Sequence, residues 1–294
     1  MLKKLISSAV IASLVSSGIL INLEETEYFK ALAANESGDL EDNGYEYDDD
    51  YSDGDEELLD ESIYDDLVWE NNLKYGLIRQ SNLATVLECK DDIEDVEILT
   101  TLQHNGVQYC VNAIGGCAFA GCNMLKNVTI HNNIRNIDNK AFADCIGLTS
   151  ITIPDSVESI GIYAFGDCQN LETIEIPNSV LSIGDSAFEY CFSLREVRLS
   201  DRLENIYKKT FKGCRSLEKI TIPREVKYIG NEVFWGCVDL KEICFENANK
   251  LNREEINADI LAGCGNLERI VVTGNVDRTI FDGINIPDGC VIQY

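Results

Sequence analysis

Residues able to do chemistry are few in this chain, and their spacing does not assemble a reaction. The 294 residues include two histidines, His104 and His131. Neither stands near a nucleophile elbow, a phosphate-binding loop or a metal-ligand spacing. His131 ends a strand-like segment where later segments carry proline, so it reads as a polar strand-end residue. Of twelve cysteines, Cys89, Cys110, Cys117, Cys244 and Cys290 lie outside any regular interval. Any disulfide is expected among these five. Cys244 falls on an outward strand position and is the candidate reactive thiol. Asp49, Asp53, Gly54 and Asp60 match positions of a calcium loop, and Asp39, Glu41, Asn43, Gly44 and Asp50 make a second partial match. The two matches overlap at Asp49 and Asp50, and neither has amphipathic helices beside it, so loose cation condensation is the better reading. No metal centre, cofactor or catalysis is expected.

Charge narrows the partners. Lys and Arg number 24 against 51 Asp and Glu, a net charge of −27, which argues against nucleic acid and anionic membrane surfaces. Sixteen of those acids lie between Glu36 and Asp66 with no Lys or Arg among them. Such crowding repels itself and offers little to bury, so residues 35–66 read as an acidic, disordered linker. Ahead of it, Lys3 and Lys4 precede an apolar run, Leu5 to Ile21, diluted by Ser7, Ser8, Ser13, Ser16 and Ser17. This is the layout of a secretory signal over residues 1–34, with Ala31-Leu32-Ala33 as a small-x-small cleavage pattern. The run is short and serine-rich beside the ~20 apolar residues of a stable span. A cleaved signal is expected, an uncleaved anchor being the alternative, and no other membrane insertion.

The elements that position everything else come from a repeat. Units opening at Ala118, Ala141, Ala164, Ala187, Thr210 and Val233 share Ala-Phe-x-x-Cys-x-x-Leu-x-x-Ile-x-Ile-Pro followed by Val-x-x-Ile-Gly. Five successive units are 23 residues long, the sixth is lengthened by an Asn-rich insertion around Asn247 to Asn257, and a seventh begins at Ile260. Ile151 and Ile153 alternate with Ser150 and Thr152, a half-buried strand, and Pro154, Pro177 and Pro223 sit where it leaves the sheet. Val157-x-x-Ile160-Gly161 is a second extended piece, where the chain turns at Gly161, a residue that can take positive φ. One unit cannot bury its own apolar face, so the units stack into a solenoid, with a parallel β-sheet on one face and short turns or 3-10 pieces on the other.

Translation by one unit then dictates columns. Phe119, Phe142, Phe165, Phe188, Phe211 and Phe234 should form an internal aromatic spine at about one strand spacing, ~4.8 Å. Cys122, Cys145, Cys168, Cys191, Cys214, Cys237 and Cys264 form a parallel column whose Cα–Cβ vectors do not converge, so these read as buried free thiols. On the surface, Glu172, Arg195, Glu218, Lys241 and Glu268 alternate in sign, and Glu196, Lys219, Glu242 and Arg269 alternate out of phase with them. A checkerboard of lateral ion pairs follows.

Ala141-Phe142-Ala143-Asp144-Cys145-x-x-Leu148-x-x-Ile151-x-Ile153-Pro154-x-x-Val157-x-x-Ile160-Gly161 resembles the 23-residue BspA-type (Treponema-type) leucine-rich repeat of bacterial surface and secreted proteins. The resemblance runs from about Leu73 to Val272. Tyr75 to Ile78, Ala84 to Leu87, Val96 to Ile98 and Val107 to Ile114, with Gly106 in a turn, resemble the degenerate segment that precedes such repeats. The implied organisation is an N-terminal β cap over 67–117, about seven repeat units over 118–274 and a C-terminal cap over 275–294, since open solenoid ends would expose the core.

The resemblance implies extracellular recognition, adhesion or host interaction without catalysis. A secreted or cell-surface location follows, and with no wall-sorting signal or hydrophobic C-terminal anchor in the chain, release or retention by an uncleaved signal is expected. The partner would be an extracellular protein or glycan, bound by a monomer through the outward strand positions Thr152, Glu175, Arg198, Thr221 and Cys244, with Arg253 of the insertion. The alternative is a purely structural module of the envelope with an acidic spacer.

Overall fold

The computed structural model describes residues 61–294 except 91, 252 and 275–277. The signal, both partial calcium loops and most of the acidic stretch lie outside the described residues.

The described part of the cap includes residues 61–66, ahead of the Leu67 boundary read from the sequence. Glu61–Ile63 form a 3-10 turn, and Tyr64 is buried with Leu87. Its ring occupies the space where a Cβ on Gly76 would stand, 2.5 Å away. Strands β1 (Asp66–Glu70), β2 (Leu73–Ile78) and β3 (Leu83–Cys89) form an antiparallel meander. After the short β4 (Asp95–Glu97), β5 (Thr101–His104) and β6 (Val107–Ile114) form a hairpin, and β6 pairs in parallel with β3.

From β6 onward the units lay short strands or single bridges along two columns. The first column is β7 (Asn127–Thr129), the Ser150 bridge, β10 (Thr173–Glu175), β12 (Glu196–Arg198), β14 (Lys219–Ile222), β16 (Glu242–Phe245) and β17 (Arg269–Val272). The second is β8 (Asn136–Ile137), β9 (Ser159–Ile160), β11 (Ser182–Ile183), β13 (Asn205–Ile206) and β15 (Tyr228–Ile229). Paired strands within both columns run parallel and in register, as with Ile174↔Val197 and Ile137↔Ile160. The expected single sheet is thus joined by a second, because Val157-x-x-Ile160 also forms a ladder.

The third side is a column of turns with its own ladder. Phe119 N–H donates to the Ala141 carbonyl at 2.8 Å, and the same bond recurs unit by unit to Phe234 and Ile260 at 3.1 Å. The phenylalanine spine stands behind it, rings stacked within 6° of parallel. Centroids are 4.9 Å apart at Phe119–Phe142 and 6.0 Å at Phe211–Phe234. The rings fan apart toward the C-terminus as the turn ladder lengthens.

Gly161 does not use the positive φ open to it. It is required for closeness instead: a Cβ there would lie 2.5 Å from the Asn139 amide nitrogen of the preceding unit. The left-handed residues sit further on, at Lys140, Tyr163, Ser186, Lys209 and Glu232, and again at Asp144, Asp167 and Tyr190, with φ between 54° and 59°.

No disulfide joins any of the twelve cysteines, all of which are among the described residues. The column cysteines are buried, and six also donate: each Sγ lies 3.0–3.2 Å from the phenylalanine carbonyl of the preceding unit, Cys145 to Phe119 through Cys264 to Phe234. They are hydrogen-bonding links between units as well as small apolar groups.

At the C-terminal end β18 (Val291–Gln293) adds to β17 in parallel, and Phe281 packs edge-on against Phe245 at 5.2 Å. The insertion is part of the fold. Ala248, Leu251 and Ile256 are buried, and the Asn247 and Ala248 amides donate to Thr273. No helix among the described residues is long and apolar enough to cross a membrane.

Candidate functional surface

Five of the six residues singled out in the sequence fall in one outward row. Glu175 faces Arg198 across β10 and β12, and Thr221 faces Cys244 across β14 and β16; the Ser150–Thr173 bridge puts Thr152 in line with them. The inward neighbours Ile174, Val197, Ile220 and Ile243 are buried, so the row is the other half of the strand alternation. Glu175 and Arg198 pair at 2.5 Å while 66% and 65% exposed. Thr152 is exposed, and Thr221 and Cys244 are half-buried.

Cys244 lies between Thr221 and Val271. Burial, and then the Glu246 charge, push its thiol above the ordinary range, which favours the protonated, less nucleophilic form. Arg253 is not brought to this row. It stands in a 3-10 turn, Arg253–Glu255, and its Nε–H donates to the Asp282 carbonyl at 2.6 Å, tying the insertion to the C-terminal cap.

His131 is held as the strand-end residue its position suggests. Its Nε2 contacts the Leu99 carbonyl at 2.7 Å, and Nδ1 accepts from the Asn133 amide. Burial lowers its pKa against the opposing pull of that carbonyl, so the neutral ring with its proton on Nε2 fits both contacts. His104 stands 3.6 Å from Asp66 in the cap. Among the described residues no three His, Cys, Asp or Glu side chains converge to hold a metal.

The charge checkerboard is formed in part. Glu218 pairs with Lys241 at 2.9 Å, and Glu242 receives both Lys219 and Arg269. Arg195 makes no ion pair among the described residues. A second set of pairs crosses the other sheet, Arg135–Glu158 and Glu204–Lys227, each at 2.9 Å.

Sequence reasoning missed a cluster on the turn side. Where Ala120, Ala143 and Gly166 stand in early units, later units carry Glu189, Lys212 and Trp235. Lys212 pairs with Glu232 at 2.7 Å and lies 3.9 Å from Glu189, with its Nζ 5.2 Å from the centre of the Trp235 ring. Burial alone would lower its ammonium, but the Glu232 hydrogen bond and the neighbouring charges outweigh it and the pKa is raised. Tyr190 and Phe192 lie 5.9 Å apart, and the Arg215 guanidinium sits 4.5 Å over Phe192. Trp235 and Val238 are both 43% exposed. The available signal was the departure of single units from their own repeat.

The profile described as BspA type Leucine rich repeat region matches in six copies, over residues 99–180 and 158–285. No curated protein matches. Among solved structures the chain is similar to the T. pallidum leucine rich repeat protein, at 25% identity over 60% of this chain and 91% of that one, TM-score 0.49. It is similar to a leucine-rich repeat protein from Bacteroides ovatus at 24% identity over 72% of each chain, TM-score 0.48. A leucine rich cell surface protein from Faecalibacterium prausnitzii aligns at 17% identity over 76% of this chain and 98% of that one, TM-score 0.43.

Proposed function

Since the chain belongs to the BspA-type leucine-rich repeat family, we propose that it is a secreted or cell-surface recognition protein. It holds an extracellular protein or glycan against its outward strand row and performs no catalysis. The observation that carries this reading is the division of labour along each strand. Inward residues fill a continuous core, while Thr152, Glu175, Arg198, Thr221 and Cys244 make an outward row at strand spacing, ~4.8 Å per step, whose side chains the core does not need. The Glu175–Arg198 pair is exposed on both sides, and such pairs stabilise little. A ligand carboxylate can displace Glu175 from Arg198 at small cost and gain a charge-assisted bond. Thr152 and Thr221 add hydroxyls able to donate or accept. The apolar leader Leu5 to Ile21 supports export.

The test is a binding array of extracellular-matrix proteins, mucins, wall polymers and glycans, probed at physiological salt with the folded full chain. A saturable hit supports recognition. Silence across the array overturns it in favour of a structural role in the producer's own envelope.

A further inference from the structure

The N-terminal cap holds an open cavity that shares no residue with the outward strand row. It lies between the β1–β2 turn and the exit of β3, with a volume of about 570 Å³, inside the ~300–1,000 Å³ range of small-molecule sites. Trp69 and Ile93 supply apolar lining, and Asn72, Glu88, Lys90 and Asp92 supply polar lining. Two contacts brace it. The Lys90 amide donates to the Asn72 carbonyl at 3.2 Å, and Lys74, opposite both Trp69 and Glu88 in the sheet, reaches Glu88 at 3.3 Å. On this same face the Tyr64 ring covers Gly76, yet Trp69 is left 45% exposed. We propose that the cavity binds an uncharged saccharide, stacked on the Trp69 indole. This second site does not rest on the reading given to the strand row.

The chemistry of the lining selects that ligand. Glu88 and Asp92 are balanced by Lys90 and by Lys74 beside them, so the cavity favours neither an anion nor a cation. A wholly apolar ligand would strip water from these charged groups and return no hydrogen bond, which is costly. A saccharide ring meets both demands. Its C–H face packs on an indole, and its hydroxyls, each a donor and an acceptor, suit two carboxylates that accept, an ammonium that donates and an amide that does both. Lys90 Nζ lies 5.6 Å from the centre of the Trp69 ring. Such a cation–π contact is weak at an exposed site, and the flexible lysine stem lets the ammonium leave the ring face and donate to a bound hydroxyl.

Trp69 and Trp235 are the only tryptophans, so Trp235→Phe in the full chain makes Trp69 a local reporter. Its fluorescence is titrated with cellotriose, maltotriose, xylotriose and chitotriose. At least one should shift the emission saturably, with a dissociation constant of about 1 mM or tighter. The response should persist near 1 M salt, because an uncharged ligand is not screened. Calorimetry on the full chain should then show Trp69→Ala weakening that saccharide at least about tenfold. Glu88→Gln and Asp92→Asn, both on exposed side chains with the thermal midpoint as the folding check, should each weaken it about threefold or more. No response to any of the four saccharides overturns the proposal, and so does binding that survives Trp69→Ala at native affinity. A response to choline alone that fades with salt overturns it in favour of a cation seat. Arg198→Glu should leave the Trp69 response unchanged, so this site and the strand row fail separately.

Discussion

A buried thiol in this solenoid does two jobs. Cys191 fills space in the core, and its Sγ donates to the Phe165 carbonyl at 3.1 Å, linking one unit to the one before. Cys191→Ala removes both contributions and should cost ~1–2 kcal/mol in chemical denaturation. Cys244→Ala, on the half-buried outward row, should cost clearly less, and equal losses would contradict the linking role. The left-handed turn positions make a prediction of opposite sign. Asp144 has φ 59° in a column where other units place Gly121, Gly213, Gly236 and Gly263, all at positive φ. Its carboxyl is pushed above the ordinary range by burial and by Asp167. Asp144→Gly relieves both penalties and should stabilise the fold by up to ~1 kcal/mol, read as a higher thermal midpoint. The thiol column was legible in the sequence because translation makes side chains parallel. Its hydrogen bonds were not, because they depend on where the Phe carbonyls of the turn ladder point.

At the scale of the element, the cysteine column should govern alkaline stability. Burial, the largest cause in each case, raises the thiols of Cys145, Cys168, Cys191, Cys214 and Cys237, and pushes Cys264 up to about 12. In the unfolded chain a thiol titrates near 9.0. Above that pH the unfolded state releases protons that the folded state keeps, so stability is fully present below about pH 9 and falls as pH rises. The thermal midpoint should drop steeply between pH 9 and 11, and Cys191→Ala should flatten the slope. A midpoint independent of pH over that window would contradict burial of the column. The strand ladders and their outward row followed from the 23-residue period. The second sheet was read only as an extended piece, since two-residue strands such as Ser182–Ile183 are too short to show alternation. The turn-side cluster escaped because it is built from exceptions, with Glu189, Lys212 and Trp235 standing where the repeat has alanine or glycine.

At the scale of the molecule, the ends and the insertion decide whether a stack of units is a stable protein. Phe281, 4% exposed, plugs the last units against Phe245. Phe281→Ala should cost about 3–5 kcal/mol, and hydrogen exchange should show β17 and β18 opening before β10 and β12. Uniform loss of protection would argue that the solenoid melts as one unit. The insertion around Asn247 to Asn257 read in sequence as a partner-contacting excursion. Its buried Ala248 and Leu251 and the Arg253 bond to Asp282 tie it to the cap, so its deletion should lower the thermal midpoint whatever it contacts. These ties could not be read from the sequence because they join unique residues with no equivalents in other units. The central claim is that outward side chains not needed by the core do the recognising. Its most direct test is the solution affinity of Arg198→Glu for a partner identified on the array, measured beside its thermal midpoint. Binding should weaken at least about tenfold, ~1.4 kcal/mol, with folding nearly unchanged because the Glu175 pair is exposed. Native affinity in a folded Arg198→Glu chain would contradict it.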